Sequence, residues 1–216
     1  MRKIIFSLVI VLLLHGCGHS MTGKNINERH YVVVDVDVSD INKYDEFISL
    51  ELPILAKHDA YMAMDVRSKD QKKRFLVVSF PDKQSVTSFV KSEEFKAILP
   101  LNKSSAKSKI FHGKLHAYSN FTLSDRHYVV VDVDVTDTKQ YDKFISLEIP
   151  ILKKYDAYMA MDIRSQDQMK RHLFVSFPSK EAVGRFVKSE EFQKILPLNK
   201  ASAQSVIFHG ELYNVL

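Results

Sequence analysis

The sequence predicts an α+β fold class: two ferredoxin-like βαββαβ repeats packed sheet to sheet within one chain. Three observations carry this. First, the nine residues His30 to Val38, HYVVVDVDV, return at His127 to Val135, and adding 97 to any position from 30 to 119 gives its counterpart between 127 and 216, with about two-thirds of the pairs identical. Second, within each unit, stretches of two-residue and of helical periodicity follow one another in the order βαββαβ. Third, one face of the sheet so formed carries Tyr31, Val33, Tyr61, Ala63, Phe75 and Val77. Such a face is too apolar to leave in water, and its simplest cover is the matching face of the other unit.

Each unit begins with alternation, Val32, Val34, Val36 and Val38 on one side and Tyr31, Val33, Asp35 and Asp37 on the other, which is a strand. Ser39-Asp40 supplies a helix N-cap, and Ile41, Tyr44, Phe47, Ile48, Leu52 and Leu55 recur at helical spacing. Pro53 removes a backbone donor from that helix, so a kink or break is expected around residues 49–53. Strict alternation from Ala60 to Arg67 places Asp65 and Arg67 on the same face as Tyr61. Ser68 to Lys72 is a polar turn, Arg74 to Phe80 the third strand, and Val86, Phe89 and Val90 mark a second helix. Ser92-Glu93-Glu94 caps a short helix that Pro100 is expected to stop, and Lys109 to Tyr118 is the last strand.

The 216 residues are 45% hydrophobic and 26% charged, an ordinary globular composition, and Arg2 and Lys3 of the N-terminal segment supply two of the five net positive charges. What remains is mixed with acids throughout, so no nucleic-acid partner is expected. Basic Arg2 and Lys3, the apolar run Ile4 to Leu14 and His15-Gly16-Cys17 read as an export signal over residues 1–16, too short to span a bilayer. Leu14-His15-Gly16-Cys17 resembles the lipobox of bacterial lipoproteins, in which Cys17 is lipidated. It is the only cysteine, so no internal disulfide can form. Gly18 after it implies, on the lipoprotein sorting pattern, a cell-envelope protein anchored in the outer membrane and facing the periplasm. Residues 17–29 read as a flexible tether, 30–119 as the first repeat, 120–126 as a linker and 127–216 as the second repeat.

The runs HYVVVDVDVTDTKQYDKFISLEIPILKKYDAYMA and LFVSFPSKEAVGRFVKSEEFQKILPLNKASA resemble the domain-of-unknown-function 1330 family of the dimeric α/β-barrel superfamily, over nearly all of each repeat. Members usually build the barrel from two chains. The resemblance implies that this chain builds it from two repeats, an intramolecular barrel in a monomer with an internal pseudo-dimer. Where family members often carry a Gly-Gly pair, a longer hairpin and an arginine after Pro-Leu, this chain has Asp59-Ala60, the short turn at Ser68 to Lys72, and Asn102.

The polar side chains assigned to the sheet's inner face are the site candidates. Asp65 and His112, with Asp162 and His209 in the second copy, form carboxylate and imidazole sets suited to proton transfer. Asp35, Tyr61, Arg67, Ser79, Asp132, Tyr158, Arg164, His172 and Ser176 are the candidate ligand contacts, the arginines for an anionic group. Solvated or structural ion pairs explain the same charges, and the alternation around His112 leaves its direction open. His172 replaces Phe75 of the first copy, either as drift or as a difference between two pockets. His112 and His116 are too far apart on a strand, roughly 13 Å, to share a metal. No Cys/His cluster, phosphate loop or Gly-x-Ser-x-Gly elbow is present, so neither metal nor cofactor is expected. The leading reading is a small-molecule binder. A cofactor-independent oxygenase or isomerase and a non-catalytic envelope scaffold are the alternatives. A cavity inside the barrel lined by Asp65, Arg67 and His112 would favour the first two, and a barrel filled with side chains would sink both.

Overall fold

The computed structural model describes residues 26–118 and 125–213. The signal segment, Cys17 and most of the tether and linker lie outside them. The first repeat runs β1 (His30–Val38), α1 (Ile41–Lys57), β2 (Tyr61–Arg67), β3 (Lys73–Phe80), α2 (Lys83–Lys91), α3 (Glu93–Ser105) and β4 (Ala106–Tyr118). The second repeats this order as β5 (His127–Val135), α4 (Thr138–Lys154), β6 (Tyr158–Arg164), β7 (Lys170–Phe177), α5 (Lys180–Lys188), α6 (Glu190–Ser202) and β8 (Ala203–Leu212). Two helix starts are the capped ones the sequence marks, where the side chains of Asp40 and Ser92 accept from the backbone N–H groups of Lys43 and Phe95, and Asp82 caps α2 in the same way by accepting from Ser85.

The eight strands close into one antiparallel barrel in the order β1-β3-β2-β8-β5-β7-β6-β4. The joins between repeats are β2 with β8 and β4 with β6. Closure within one chain leaves neither sheet an open edge. The seams demand close approach: a Cβ on Gly113 would lie 2.7 Å from the Arg164 carbonyl oxygen, and one on Gly210 would lie 2.6 Å from that of Arg67. Tyr31, Val33, Met64, Val66, Phe75 and Val77 meet Tyr128, Val130, Met161, Ile163 and Phe174 inside, and fill the interior. The helices cover the outside. There α4 to α6 pack on their half of the sheet through one continuous apolar cluster, whereas under α1 to α3 the cluster is divided in two.

Three expectations are corrected. Pro53 and Pro100 do not end their helices, because α1 and α3 run through them. Interrupting a helix costs about 3 kcal/mol locally. Here Phe47 and Ile48 before Pro53 are buried together with Ile54 and Leu55 after it, and about 1.5–3 kcal/mol per buried apolar side chain outweighs that cost. The strict alternation of β2 also fails. Its pairing with β3 shifts between Met62 and Met64, as that of β6 with β7 shifts between Met159 and Met161. The extra residue reverses the phase of the strand, so Met64 and Val66 enter the barrel and Asp65 and Arg67 leave it.

The repeats also begin earlier than their first strand. Arg29 is buried, donating from Nε to Ser79 Oγ at 2.8 Å, from Nη2 to the Asp59 carbonyl, and lying over the Tyr61 ring. Arg126 does the same with Ser176, Asp156 and Tyr158. Asp59 and Asp156 both adopt φ 51°, the left-handed region that aspartate tolerates better than most residues. Among the described residues, no helix is long and apolar enough to cross a membrane.

Candidate functional site

A cavity of about 570 Å³ lies on the outside of the barrel, between the outward face of β1, β3 and β4 and the three helices of the first repeat. Its wall draws on both buried clusters of the first repeat, Val78 and Phe89 from one and Tyr44 and Phe47 from the other, with Val34 and Phe95 packed against both. Its walls are largely apolar, with Val34, Phe47, Leu55, Val78 and Phe89 among them. Glu51, Asn102, Ser108 and His112 provide the polar contacts, with Lys83 and Lys91 exposed at the rim. This volume and this ratio of apolar wall to few polar groups suit a small organic molecule.

Glu51 is placed by α1, one turn after Phe47 and one before Leu55. It keeps some surface because it lines the cavity, but its carboxyl is surrounded by protein, and burial raises its pKa to about 8. A carboxylate in an apolar wall without a cation loses hydration and gains nothing in return, so the acid form is favoured. At neutral pH the site therefore presents a proton donor. Tyr44, also in the wall, is shifted upward by burial first and by Glu51 next.

His112 stands at the β4 side, 3.1 Å from Nδ1 to Nε2 of His30 on the neighbouring strand. Burial lowers the pKa of both rings, and His30 falls to about 4 through burial and then the positive charges around it. Both imidazoles are therefore neutral at pH 7, and one donates to the other. The pair recurs as His127 and His209 at 3.1 Å.

The sequence-derived candidates separate into four places. His112 points outward into the cavity, and His209 holds the equivalent position. Asp65 and Arg67 point outward beneath α1: Asp65 Oδ2 accepts from Arg67 Nη2 at 2.7 Å, Arg67 lies 3.5 Å from Asp45, and the fully buried Arg74 pairs with Asp45 at 2.6 Å. Asp162, Arg164, Asp142 and Arg171 repeat this network. Neither Asp65 nor Arg67 lines the cavity, and the bulge in β2 is the reason. Tyr61 and Ser79, with Tyr158 and Ser176, remain on the inner side and are engaged by Arg29 and Arg126. Asp35, Asp132 and His172 come together inside the barrel. Asp35 pairs with Lys73, while Asp132 Oδ1 lies 3.3 Å from Lys170 Nζ and 3.6 Å from His172 Nε2. The His172 ring lies tilted against Phe111 with centroids 4.6 Å apart, its Nδ1 has no hydrogen-bond partner, and burial lowers its pKa.

The filled interior thus leaves the expected cavity inside the barrel without room, and the open volume lies in the helical layer instead. Glu51, His30 and Asn102 are absent from the sequence-derived set. A signal for Glu51 exists: it interrupts the buried stripe Tyr44, Phe47, Leu55 of α1, and Glu148 interrupts the same stripe of α4. No described group of three or more His, Cys, Asp or Glu side chains is arranged to hold a metal ion.

Comparison with known proteins bears on the fold and the family. A solved structure of an anthrone oxidase-like protein superposes with a TM-score of 0.58 at 13% identity, covering 88% of this chain and 94% of that one. A mutant chlorite dismutase from Candidatus Nitrospira defluvii, in complex with cyanide, gives 0.57 at 10% identity, covering 88% and 92%. At such identities the likeness establishes a shared α/β-barrel fold. No curated protein matches the chain by sequence. The family model described as Domain of unknown function (DUF1330) matches twice, over residues 29–112 and 126–210. Two tandem copies of that domain make up nearly the whole described structure, and the chain belongs to the DUF1330 family.

Proposed function

We propose that this protein binds a small molecule in the helix-sheet cavity of its first repeat. The ligand has an aromatic or aliphatic body and an acceptor or anionic group. The observation that carries this is the 570 Å³ apolar cavity with Glu51 and His112 in its wall and Lys83 and Lys91 at its rim. Apolar walls supply the affinity, the protonated Glu51 donates to an acceptor, and the lysines favour a negative group at the mouth. In this reading the Asp65–Arg67 and Arg29–Tyr61 groups hold the scaffold and make no ligand contact. The anionic fluorophore 1-anilinonaphthalene-8-sulfonate serves as the probe. Saturable binding to the purified chain that weakens at least tenfold in Thr87→Trp, a substitution at an exposed position of the cavity wall, is the expected result. Equal binding to both proteins would sink the proposal.

One observation supports a catalytic version. A carboxyl with a pKa of about 8 in a largely apolar wall is poised to exchange a proton near neutrality. A cofactor-independent oxygenase or isomerase needs such a group to remove a proton from a carbon acid, and one structural neighbour is named as anthrone oxidase-like. In that case Glu51→Gln abolishes turnover and retains probe binding. The setting proposed for either activity is the bacterial envelope, with the chain as a monomer tethered through a lipid on Cys17. Cys17→Ser should release the protein from membranes, and continued lipid labelling would refute the anchor. Native mass spectrometry should find one chain per particle.

A further inference from the structure

We infer that the second repeat carries a second site of the same ligand chemistry, between the outward face of β5, β7 and β8 and helices α4 to α6. The inference rests on the binding reading above and extends it. Every residue that lines the first cavity, except Thr87, is the same residue 97 positions later, where Gly184 replaces Thr87. Core preservation accounts for the buried members of this set, since Val36, Val38, Ile48, Ile54 and Met62, buried in the same layer outside the cavity wall, are retained too, but it does not account for the exposed members. The barrel interior is at least as buried, yet Val66, Phe75 and Val77 have become Ile163, His172 and Phe174.

The contrast holds within single elements. On α2, Lys83, Val86, Val90 and Lys91 face the cavity and are unchanged on α5, although Val90 is 50% exposed and both lysines are exposed. Gln84, Ser85 and Ser88 of the same helix do not line it, and all three have changed, to Glu181, Ala182 and Arg185. On β4, Ser108, Ile110 and His112 persist as Ser205, Ile207 and His209, while of the alternate positions Lys107 and Lys109 became Gln204 and Val206 and Phe111 is retained as Phe208. Ile110 is 63% exposed and its counterpart Ile207 59% exposed, so packing does not hold that pair in place. On α2 the exposed residues retained in both copies, Lys83, Val90 and Lys91, are those on the cavity side, as a ligand contacting both copies would preserve, while on α3 exposed residues away from the cavity, Glu93, Glu94 and Lys103, are retained as well.

The chemistry is retained with the residues. Burial raises the Glu148 carboxyl to about 8, as it does Glu51. His127 and His209 form the same imidazole pair, and burial first, with the nearby Lys180 adding to it, lowers the pKa of both. The packing differs. Ala182, Val183 and Phe192 are buried in one continuous cluster where Val86 and Phe95 of the first repeat are only partly buried. The second site is therefore the tighter one, and ligand enters it with a shift of α5 and binds more weakly. Open space surrounds Gly184, where an added Cβ meets no atom within 4 Å.

The test is calorimetric titration of the full chain with 1-anilinonaphthalene-8-sulfonate. The wild type should take up two probe molecules per chain, Thr87→Trp and Gly184→Trp one each, and the double variant none. Leu196→Trp provides a second block of the second site should Gly184→Trp unfold. A wild-type stoichiometry of one, abolished by Thr87→Trp and untouched by Gly184→Trp and Leu196→Trp, overturns the second site and leaves the first. No saturable binding in the wild type overturns both.

Discussion

Replacing Glu51 by glutamine tests the electrostatics of the cavity directly. In the folded chain the carboxyl keeps its proton up to about pH 8, whereas its ordinary value is 4.5. Between those values the native state holds more protons than the unfolded state, so stability falls as pH rises. The contribution is fully present below pH 4.5 and is lost as pH passes through about 8. At 1.36 kcal/mol for each pH unit between the two values, charging this site costs up to about 5 kcal/mol. Glutamine keeps the shape and a donor but cannot ionise. Glu51→Gln should therefore match the wild type near pH 5 and exceed its stability at pH 9 by about 3–5 kcal/mol, on the same reckoning. For a chain of this length each kcal/mol moves the thermal midpoint by about 2–4 °C. Urea or thermal unfolding of both proteins at intervals from pH 4 to 9 reads the effect, and Glu148→Gln should behave alike. Parallel profiles for variant and wild type would show that Glu51 ionises as it does in water, and the account of a largely apolar cavity wall would fail.

Other perturbations have signs fixed by their surroundings. Gly113→Ala and Gly210→Ala push a methyl against the backbone of the opposite repeat, and overpacking of that kind destabilises by about 1–3 kcal/mol. Gly184→Ala fills open space in the middle of α5 and should stabilise by about 0.5–1 kcal/mol. A chemical denaturation series on the three variants checks both directions, and a stabilised Gly113→Ala would contradict the close seam. His172→Phe restores the residue of the first repeat and removes a buried nitrogen without a partner. Because burial holds the folded pKa of His172 below 6.5, the unfolded chain binds the extra proton. Wild-type stability is thus lost as pH falls below 6.5, and the variant should resist acid unfolding better, which circular dichroism between pH 4 and 7 would detect. Asp65→Asn weakens the network with Arg67 and should lower stability by about 1–3 kcal/mol while leaving probe affinity unchanged. Loss of binding in that variant would return Asp65 to the site.

Much of the architecture is legible in the sequence alone. The recurrence of HYVVVDVDV, the periodicities and the Asp40 and Ser92 caps are local properties, because each depends on residues within a few positions of one another. The apolar second face of the sheet, read together with the duplication, determines that the two repeats close on each other. Tertiary structure decided the rest. Whether Pro53 and Pro100 break their helices depends on the burial that flanks them, and that burial exists only when the helices lie on the sheet. Which way Asp65 and Arg67 point depends on one unpaired residue of β2, set by its register against β3 rather than by its own alternation. The cavity is the most extreme case: it is space walled by both clusters, defined by how closely three helices approach a sheet. The sequence marks its wall through His112, a candidate whose direction its own alternation left open, and through Glu51, a carboxylate in an apolar stripe whose charge state follows from the burial that the fold builds around it.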